Sequence, residues 1–559
     1  MPGHEATPDP TMPRPADDTL PAFWRASLAD HPQDVMIYKD GVSYTYAEIE
    51  RRSALMARGL LAKGATKGSR IGLLAGNGPE WVIGWLAINR IGAVAIGLST
   101  FASTAELAYL IPHADISILL TIQRYLRHDY VARLEEAFPA LAKADGKQPL
   151  ALLQAPFLRQ VWLAGDSDTA WARGSWEHLE AAGAASAVFD YEMLAAAENQ
   201  VTPADWAVMI YTSGSTAFPK AVVHTHGAMI RKFMFMARRP GIIPYDQHRG
   251  DRVIVSAPFF WVGGLLALGG GLLRGTTTLC IDDHSPRSLF ELIRDQKATH
   301  LGGSEAVMNA VRDAAGDEAY LVDQLRPHNT SQIPFFSRRG TMPTRFANSL
   351  GMTETFGPHS GHMNGEPLPE GLDRSVGPLL ATMEWKIVDP ETGERVPNGV
   401  AGELCVRGDW LMDGMYKRER HEVFDKDGYY HTGDECILRD DGYLLYHSRI
   451  SGMIKTAGAN VSPDEVELAI RQLPDVVEVA VFGMPDEKLG EMVTAAVVVS
   501  PGSRLDEAAI RGHALSQLSS FKAPKRVLFF DFEDLPRTPS NKVRKPELSE
   551  MVRARLADA

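Results

Sequence analysis

The chain has 559 residues, of which 45% are hydrophobic and 23% charged, and 57 basic side chains face 70 acidic ones for a formal net charge of −13. This length exceeds one ordinary hydrophobic core, so we expect two or more domains, and the composition excludes a fibrous or wholly disordered chain. The negative charge argues against a protein that binds nucleic-acid backbones over its surface.

The first 21 residues combine prolines with acidic side chains and contain no apolar run, which predicts a disordered leader and no secretory signal. From residue 22 to about residue 325, helical and strand-like segments alternate, as is typical of parallel α/β layers. The uncharged stretch 257–273 is too short and too rich in glycine to span a membrane. One helix is predicted to begin in the segment 43–49 and to run to residue 63, and another to extend over 79–92. Strands are predicted over 70–75, 116–122, 206–211, 252–257 and 276–281.

The pattern changes twice in the second half of the chain. Near residue 376, short strands separated by glycine and proline begin and predict a β-rich subdomain. After Arg449, strands and helices predict an α+β unit of about 100 residues. We therefore predict an α/β fold with a leader over 1–21, a large layered N-terminal domain over 22–450 that includes the β-rich part, and a small α+β C-terminal domain over 451–559.

Cys280, Cys405 and Cys436 are the three cysteines, with no CxxC pair and no histidine at zinc-finger spacing. This argues against a disulfide framework or a structural zinc site and fits a reducing cytoplasm. The simplest interpretation is three small buried apolar side chains.

The segment IYTSGSTAFPK over residues 210–220 is the strongest chemical signal. A hydrophobic strand leads into four hydroxyl side chains around one glycine, and Lys220 follows. Hydroxyls, free backbone N–H groups and a lysine in such a loop can bind phosphate oxygens. An ordinary polar turn is the alternative for this segment taken alone. Pro219 precedes the lysine and no Ser or Thr follows it, which excludes a P-loop of the GxxxxGK[ST] type.

Four further segments follow in order: NSLGMTE over 348–354, YHTGD over 430–434, SRISG with GANVSPDEVE within 448–467, and LPRTPSNK over 535–542. Together with 210–220, they resemble the signature segments of the adenylate-forming superfamily, which contains acyl-CoA synthetases, luciferases and peptide-synthetase adenylation domains. The resemblance extends over about residues 20 to 550.

This resemblance implies an acyl-CoA synthetase in which a carboxylate attacks the α-phosphate of ATP and the thiol of coenzyme A then takes the acyl group. It implies ATP, Mg²⁺ and coenzyme A as cofactors and a small carboxylic acid as substrate, with no nucleic acid and no membrane span. A homodimer is one candidate assembly.

The resemblance also implies roles for single residues. Lys542 would stabilise charge in the adenylation transition state, Thr353 would contact the α-phosphate, and Glu354 would bind Mg²⁺. Asp434 would bind the ribose hydroxyls. The full set implied to contact the nucleotide is Thr212, Ser213, Gly214, Ser215, Thr216, Lys220, Leu350, Gly351, Met352, Asp434 and Arg449.

In this family the small domain rotates between the two half-reactions, so the C-terminal domain is expected to be mobile. The hinge position, usually Asp or Lys, holds Ser451 here, and its neighbour Gly452 can absorb a backbone change. Ala457 and Gly458 would contact coenzyme A, where the pantetheine arm needs close approach to the backbone.

Several positions depart from the family pattern. Ala217 and Ala221 replace glycines, and Leu350 stands where an aromatic residue usually stacks on adenine. Asn541 replaces the glycine before Lys542, although asparagine tolerates a left-handed backbone. The usual Gly-Gly-Ala-Pro segment is missing over 326–345, so this part of the nucleotide site must be built differently.

The acyl pocket is expected near the segment PFFWVGG over 258–264, where Trp261 takes the place of a usual histidine. Together with Trp261, Gly263 and Gly264 predict a roomy apolar pocket for a medium or long, aromatic or alicyclic acid. The equal alternative is that these glycines only permit close packing of a helix. Two other functions remain open: an acyl-AMP ligase that loads a carrier protein, and a degenerate member that only binds nucleotide or acyl ligand.

Overall fold

The computed structural model describes residues 15–212, 219–237, 248–302, 305–325, 349–361, 372, 375–380, 382–449, 452–537 and 543–557. Over these residues, every helix falls short of the length and apolar character that crossing a membrane requires. The chain divides into two compact units. The first comprises Met1–Thr100, Ile111–Ile210 and Ala221–Ser448, and the second Phe101–Leu110, Tyr211–Lys220 and Arg449–Ala559.

The α-helices have the following bounds: α1 Leu20–Asp30, α2 Tyr46–Ala62, α3 Pro79–Arg90, α4 Thr104–His113, α5 Tyr130–Ala137, α6 Trp176–Ala185, α7 Tyr191–Asn199, α8 His226–Ala237, α9 Val262–Leu272, α10 Pro286–Gln296, α11 Glu305–Ala315, α12 Tyr320–Asp323, α13 Arg420–Val423, α14 Pro463–Ile470, α15 Glu507–Gln517 and α16 Lys545–Ala557.

The strands in the first half of the chain are β1 Val35–Lys39, β2 Val42–Thr45, β3 Arg70–Leu74, β4 Val94–Gly97, β5 Ile118–Ile122, β6 Arg124–Tyr125, β7 His128–Asp129, β8 Gln160–Ala164, β9 Gly174–Ser175, β10 Trp206–Thr212, β11 Lys220–Thr225, β12 Arg252–Ile254 and β13 Thr277–Leu279. Those in the second half are β14 His300–Leu301, β15 Ser349–Met352, β16 Gly357–Gly361, β17 Met383–Val388, β18 Ala401–Gly408, β19 Gly414–Met415, β20 Tyr430–Leu438, β21 Leu444–Arg449, β22 Ile454–Thr456, β23 Ala459–Val461, β24 Val476–Asp486, β25 Gly490–Val499 and β26 Arg526–Phe529.

Two sheets form the layered part of the first unit. One has the order β19-β11-β10-β4-β3-β5-β8-β9, and its inner strands from β10 to β8 run parallel. The other has the order β14-β12-β13-β1-β2, with β2 antiparallel to β1. All four residues of β4 are buried, because helices cover both faces of a parallel sheet. The main core lies where α2, α3, α8 and α9 pack around these strands.

The β-rich part of the first unit is a sheet of order β17-β18-β20-β21, in which β17, β18 and β20 are antiparallel neighbours. Its inner face carries a core of its own, which includes Leu350, Trp410 and Leu444. The short hairpin of β15 and β16 stands apart from this sheet in hydrogen bonding. This hairpin carries the residues between Ser349 and Gly361.

The second unit contains a sheet of order β23-β22-β25-β24, with β26 parallel to β25. Helices α14 and α15 cover one face through Val466 and Ile510. The buried ammonium of Lys522 donates to Glu106 Oε1 over 2.6 Å and to Glu465 Oε1 over 2.7 Å. Burial alone would lower the pKa of Lys522, but the two carboxylates raise it above its usual value.

The predicted fold class is confirmed: a large α/β unit with a β-rich part and a small α+β unit at the C-terminus. The uncharged stretch 257–273 contains helix α9. The predicted leader is too long, because Thr19 caps α1 through its hydroxyl and the helix already begins at Leu20. The N–H of Leu20 donates to His226 Nδ1 over 3.1 Å, which ties this helix to α8.

Candidate active site

A short helical turn over Thr353–Thr355 connects the two strands of the β15–β16 hairpin and holds the predicted catalytic pair. The Nε2 atom of His224 donates to the carbonyl oxygen of Thr353 over 2.7 Å, and the N–H of Met412 donates to the carbonyl of Glu354 over 2.8 Å. Burial lowers the pKa of His224 to about 4, so its imidazole is neutral near pH 7. The backbone of Thr353 and Glu354 is therefore fixed from two neighbouring segments.

The hairpin needs glycine where its two strands approach. A Cβ atom on Gly351 would lie 2.5 Å from the carbonyl carbon of Gly357, which no side chain permits. Gly357 itself has a φ of +100°, a left-handed conformation that favours glycine. The structure thus explains Gly351 by packing, and its implied contact with nucleotide stays a prediction.

The carboxylate of Glu354 meets the strand that carries the YHTGD segment. Tyr430 Oη donates a hydrogen bond to Glu354 Oε1 over 3.1 Å. Four residues further along β20, Asp434 is 2% exposed, and its N–H donates to Thr432 Oγ1 over 3.1 Å. Two of the predicted site segments therefore meet within the first unit.

A second hydrogen-bonded group supports the same strand. His431 Nδ1 lies 2.8 Å from Glu403 Oε2 and 3.5 Å from Cys405 Sγ, while the N–H of Gly433 donates to Glu403 Oε1 over 3.0 Å. Burial raises the pKa of Cys405 to about 12, so this thiol is a poor metal ligand at neutral pH. Cysteine spacing in the sequence does not indicate that His431 lies near Cys405, because only the pairing of β18 with β20 brings the two residues together.

Leu350 does not offer a surface to adenine. Its side chain is 3% exposed and packs in the core of the β-rich sheet beside Trp410. The nucleotide contact that the resemblance implies for Leu350 therefore lacks structural support. Met352, two residues later, is half-buried.

In the second unit, Thr212 ends β10 and Lys220 begins β11, so these two residues flank the hydroxyl-rich loop. Ala457 and Gly458 form the tight turn between β22 and β23, with φ angles of 48° and 81°. Positive φ at both central residues is typical of a two-residue hairpin turn. Arg449 ends β21. Ser213, Gly214, Ser215, Thr216, Ser451 and Lys542 lie outside the described residues.

The two glycines near the predicted acyl pocket differ: one is consistent with open space for an acyl group, and the other permits close packing of a helix. A Cβ atom on Gly264 would lie 2.1 Å from the carbonyl oxygen of Pro258, so this glycine permits close packing. On Gly263 the nearest atom of a described residue would be Ala257 Cβ at 3.9 Å, so the described residues leave room beside the first turn of α9. Trp261 directly precedes that turn, and its ring centroid lies 5.6 Å from that of Phe260.

Two buried polar residues that sequence analysis did not single out lie near this region. Lys232 on α8 and His359 on β16 are both fully buried in the first unit. The only sequence signal for Lys232 is its position in the apolar run KFMFMA, which a surface helix would not bury on every side.

Comparison with known proteins identifies the fold and the family together. A family profile described as AMP-binding enzyme matches residues 24–416, and one described as AMP-binding enzyme C-terminal domain matches residues 465–542. The chain belongs to the adenylate-forming superfamily.

Relatives of this adenylate-forming protein match over nearly its whole length. An acyl-CoA ligase of Ajellomyces capsulatus is 28% identical over 568 residues, covering 95% of this chain and 92% of the relative. A 4-coumarate–CoA ligase of Arabidopsis thaliana is 27% identical, with 93% and 89% covered. An amide bond synthetase from Marinactinospora thermotolerans has a similar structure, with a TM-score of 0.75, 24% identity and 95% and 99% covered, and this likeness shows the fold alone.

The residues of this adenylate-forming protein fit a hard divalent cation at Glu354. A carboxylate has about four lone-pair positions, so Oε1 can accept the bond from Tyr430 while the group still binds a cation. The fixed backbone of the turn would hold the carboxylate in one place.

Proposed function

We propose that this protein is an ATP-dependent carboxylic acid:CoA ligase that forms AMP and pyrophosphate. The hydrogen bond between Tyr430 and Glu354 is the observation that carries the proposal. It joins the segment that resembles the catalytic turn of the superfamily to the segment that resembles its ribose-binding strand. The acyl-CoA ligases among its relatives, aligned over more than nine-tenths of the chain, support the same activity.

In the first half-reaction, an oxygen of the substrate carboxylate attacks the α-phosphorus of ATP. A new phosphorus–oxygen bond forms, the bond to the β-phosphate oxygen breaks, and pyrophosphate leaves. Charge accumulates on the phosphate oxygens, so fixed cations and hydrogen-bond donors are the main requirement. We assign the β- and γ-phosphates to the loop between Thr212 and Lys220, the α-phosphate to Thr353, and the developing charge to Lys542.

Glu354 would hold Mg²⁺, which neutralises phosphate charge when it is bound. Asp434 would accept hydrogen bonds from the ribose hydroxyls, and Arg449 would lie on the ribose and phosphate side. In the second half-reaction, the thiol of coenzyme A attacks the acyl carbon, and AMP leaves. The turn at Ala457 and Gly458 would pass beside the pantetheine arm, with Ser451 as the hinge of the C-terminal domain.

For the acid, we propose a medium or long-chain, aromatic or alicyclic body. The space beside Gly263 and the indole of Trp261 support an apolar pocket at the start of α9. The main alternative acceptor is the phosphopantetheine thiol of a carrier protein, because it is the same nucleophile as that of coenzyme A. A degenerate protein that only binds ligands is less consistent with the charged residues that remain at 220, 354, 434, 449 and 542.

The test is an incubation of the full chain with ATP, Mg²⁺, coenzyme A and a pool of carboxylic acids, analysed by mass spectrometry. We expect acyl-CoA and an equal amount of AMP. AMP with enzyme-bound acyl-adenylate but no thioester would replace coenzyme A by a carrier protein as acceptor. ATP binding without AMP from any acid would overturn the ligase assignment. The Glu354→Gln variant is the control, since its products should fall to background.

A further inference from the structure

Lys232 is a buried basic side chain, and none of the described residues gives it an acidic partner. Its side chain is 0% exposed on α8, and its ammonium donates to the carbonyl oxygen of Pro358. The ammonium also lies 3.9 Å from the ring centroid of Trp410 and 5.5 Å from that of Phe235. Among the described residues, no carboxylate oxygen lies within 4.0 Å of the Lys232 ammonium, which is the distance limit for an ion pair.

His359 lies next to this lysine and is also unsatisfied. Its imidazole is fully buried on β16, and neither ring nitrogen has a hydrogen-bond partner among the described residues. Burial, reinforced by the charge of Lys232, lowers the pKa of His359 to about 3. Burial alone lowers the pKa of Lys232 well below its usual value. Two such groups are costly to bury unless something binds to them.

The two side chains lie where three elements of the candidate site converge. Pro358 and His359 follow Glu354 by four and five residues. A Cβ atom on Gly357 would lie 2.2 Å from Leu266 on α9 and 3.9 Å from Lys232 Cε. The helix that contributes Leu266 is the one whose first turn contains Gly263. Lys232 and His359 therefore form a polar end to an otherwise apolar region between α8, α9 and β16.

The chemistry of the pair selects the kind of group that would bind. When Lys232 is protonated, its ammonium has three N–H donors and no acceptor, and an imidazole nitrogen of His359 supplies one further donor. A ligand group that matches them must accept several hydrogen bonds and carry negative charge. A carboxylate meets both conditions, and an apolar acyl chain meets neither.

We propose that Lys232 and His359 bind the distal carboxylate of a dicarboxylic acid, whose other carboxylate is adenylated at the turn of Thr353 and Glu354. This inference rests on the proposed function and narrows it, because it assigns the substrate an apolar body with an anionic group at each end. Lys232 is then a residue that determines specificity, and His359 assists it. A purely structural lysine held by Trp410 and Pro358 is the competing explanation.

The test compares matched acids on the full chain: octanoic with octanedioic acid, and benzoic with benzene-1,4-dicarboxylic acid. Pyrophosphate release gives kcat/KM for each acid. We expect the diacid of at least one pair to be preferred by about 100-fold, since a site built to bind a polar group discriminates against an analogue without it. In Lys232→Met this preference should vanish through loss of activity on the diacid, so that kcat/KM becomes similar for the two acids of the pair.

Thermal unfolding of the same variants makes the test independent of turnover. Octanedioic acid should raise the melting temperature of the wild-type chain but not that of Lys232→Met, and Lys143→Met, at an exposed site, should behave like the wild type. Equal use of monoacid and diacid, with the same ratio in Lys232→Met, would overturn this inference and leave the ligase intact. Absence of adenylation of any acid, with diacid stabilisation retained, would overturn the ligase and leave the binding site.

Discussion

Tyr430 Oη donates a hydrogen bond to Glu354 Oε1 over 3.1 Å, although the two residues are 76 positions apart in the sequence. The bond connects the first residue of β20 to the turn between β15 and β16. It fixes the direction of a carboxylate that is proposed to bind a cation.

The Tyr430→Phe variant tests the contribution of this bond. Without it the carboxylate gains rotational freedom, so we expect kcat/KM for adenylation to fall about 10-fold and the Mg²⁺ concentration for half-maximal rate to rise. Pyrophosphate exchange measured across a Mg²⁺ series checks both effects. Tyr429→Phe is the matched control, because Tyr429 bonds to Glu384 instead. A Tyr430→Phe curve that overlays the wild-type curve would exclude a positioning role.

The role that the resemblance implies for Lys542 predicts different effects of its removal on the two half-reactions. Removal of its ammonium should lower adenylation by at least about 100-fold, because the charge is proposed to act on the transition state of that step alone. Transfer to coenzyme A from chemically prepared acyl-AMP should remain within about threefold of the wild type. Single-turnover kinetics of Lys542→Ala with each starting material measure the two rates. The exposed Lys488→Ala serves as the control, and equal loss in both steps would contradict the assignment.

Buried histidines predict acid sensitivity of the fold. Burial lowers the pKa of His224 and His226 to about 4, against an ordinary value of 6.5. These two histidines therefore bind protons below about pH 6.5 in the unfolded chain, but only near pH 4 in the folded chain. Because the unfolded chain binds more protons between these values, the free energy of unfolding falls as the pH falls through this range. Each histidine accounts for about 3 kcal/mol over the whole window.

The free energy of unfolding is measured by chemical denaturation at a series of pH values from about 7 to about 4. His226→Asn should flatten the dependence, since an amide can still accept the N–H of Leu20 but does not titrate. His421→Asn, at an exposed position, should leave the slope as it is. A slope in His226→Asn equal to that of the wild type would show that this histidine is protonated in the folded chain.

The buried ion pair of Lys522 predicts a large loss of stability in the C-terminal unit. Lys522→Met leaves the carboxylates of Glu106 and Glu465 without their cation, which costs about 3–5 kcal/mol for a buried pair. Urea denaturation followed by circular dichroism measures the loss. Adding Glu465→Gln should recover part of it, because one buried charge is removed. Additive losses in the double variant would contradict a direct pairing.

Many helices and strands could be predicted from the sequence, because their hydrophobic patterns and start signals are local. The apolar run of β3 and the Pro-initiated helix α3 lie where hydrophobic patterning and helix-start signals indicate. Element ends were less accurate: β12 ends at Ile254, before the predicted residue 257, because its residue pairing with β13 and β14 ends at Ile254. The pairing of β1 with β13 has no local signal, because it depends on the complete fold.

The candidate site divides in the same way. Thr353, Glu354 and Asp434 follow from motif resemblance, whereas Tyr430 as the partner of Glu354 required the tertiary structure. Lys232 and His359 could not be found by any motif, since their importance comes from what surrounds them and not from their neighbours in sequence. For Gly263 and Gly264, only the distances to Ala257 and Pro258 separate open space from close packing.

The burial of all three cysteines has a practical consequence for labelling. Cys280, Cys405 and Cys436 are at most 2% exposed, and burial raises the pKa of Cys280 to about 12. Maleimide dyes react with exposed thiolates, so they should leave the native chain unmodified. A cysteine introduced at exposed Lys488 would then accept a single fluorophore without removal of any natural cysteine, and its emission would test whether the C-terminal domain rotates during turnover.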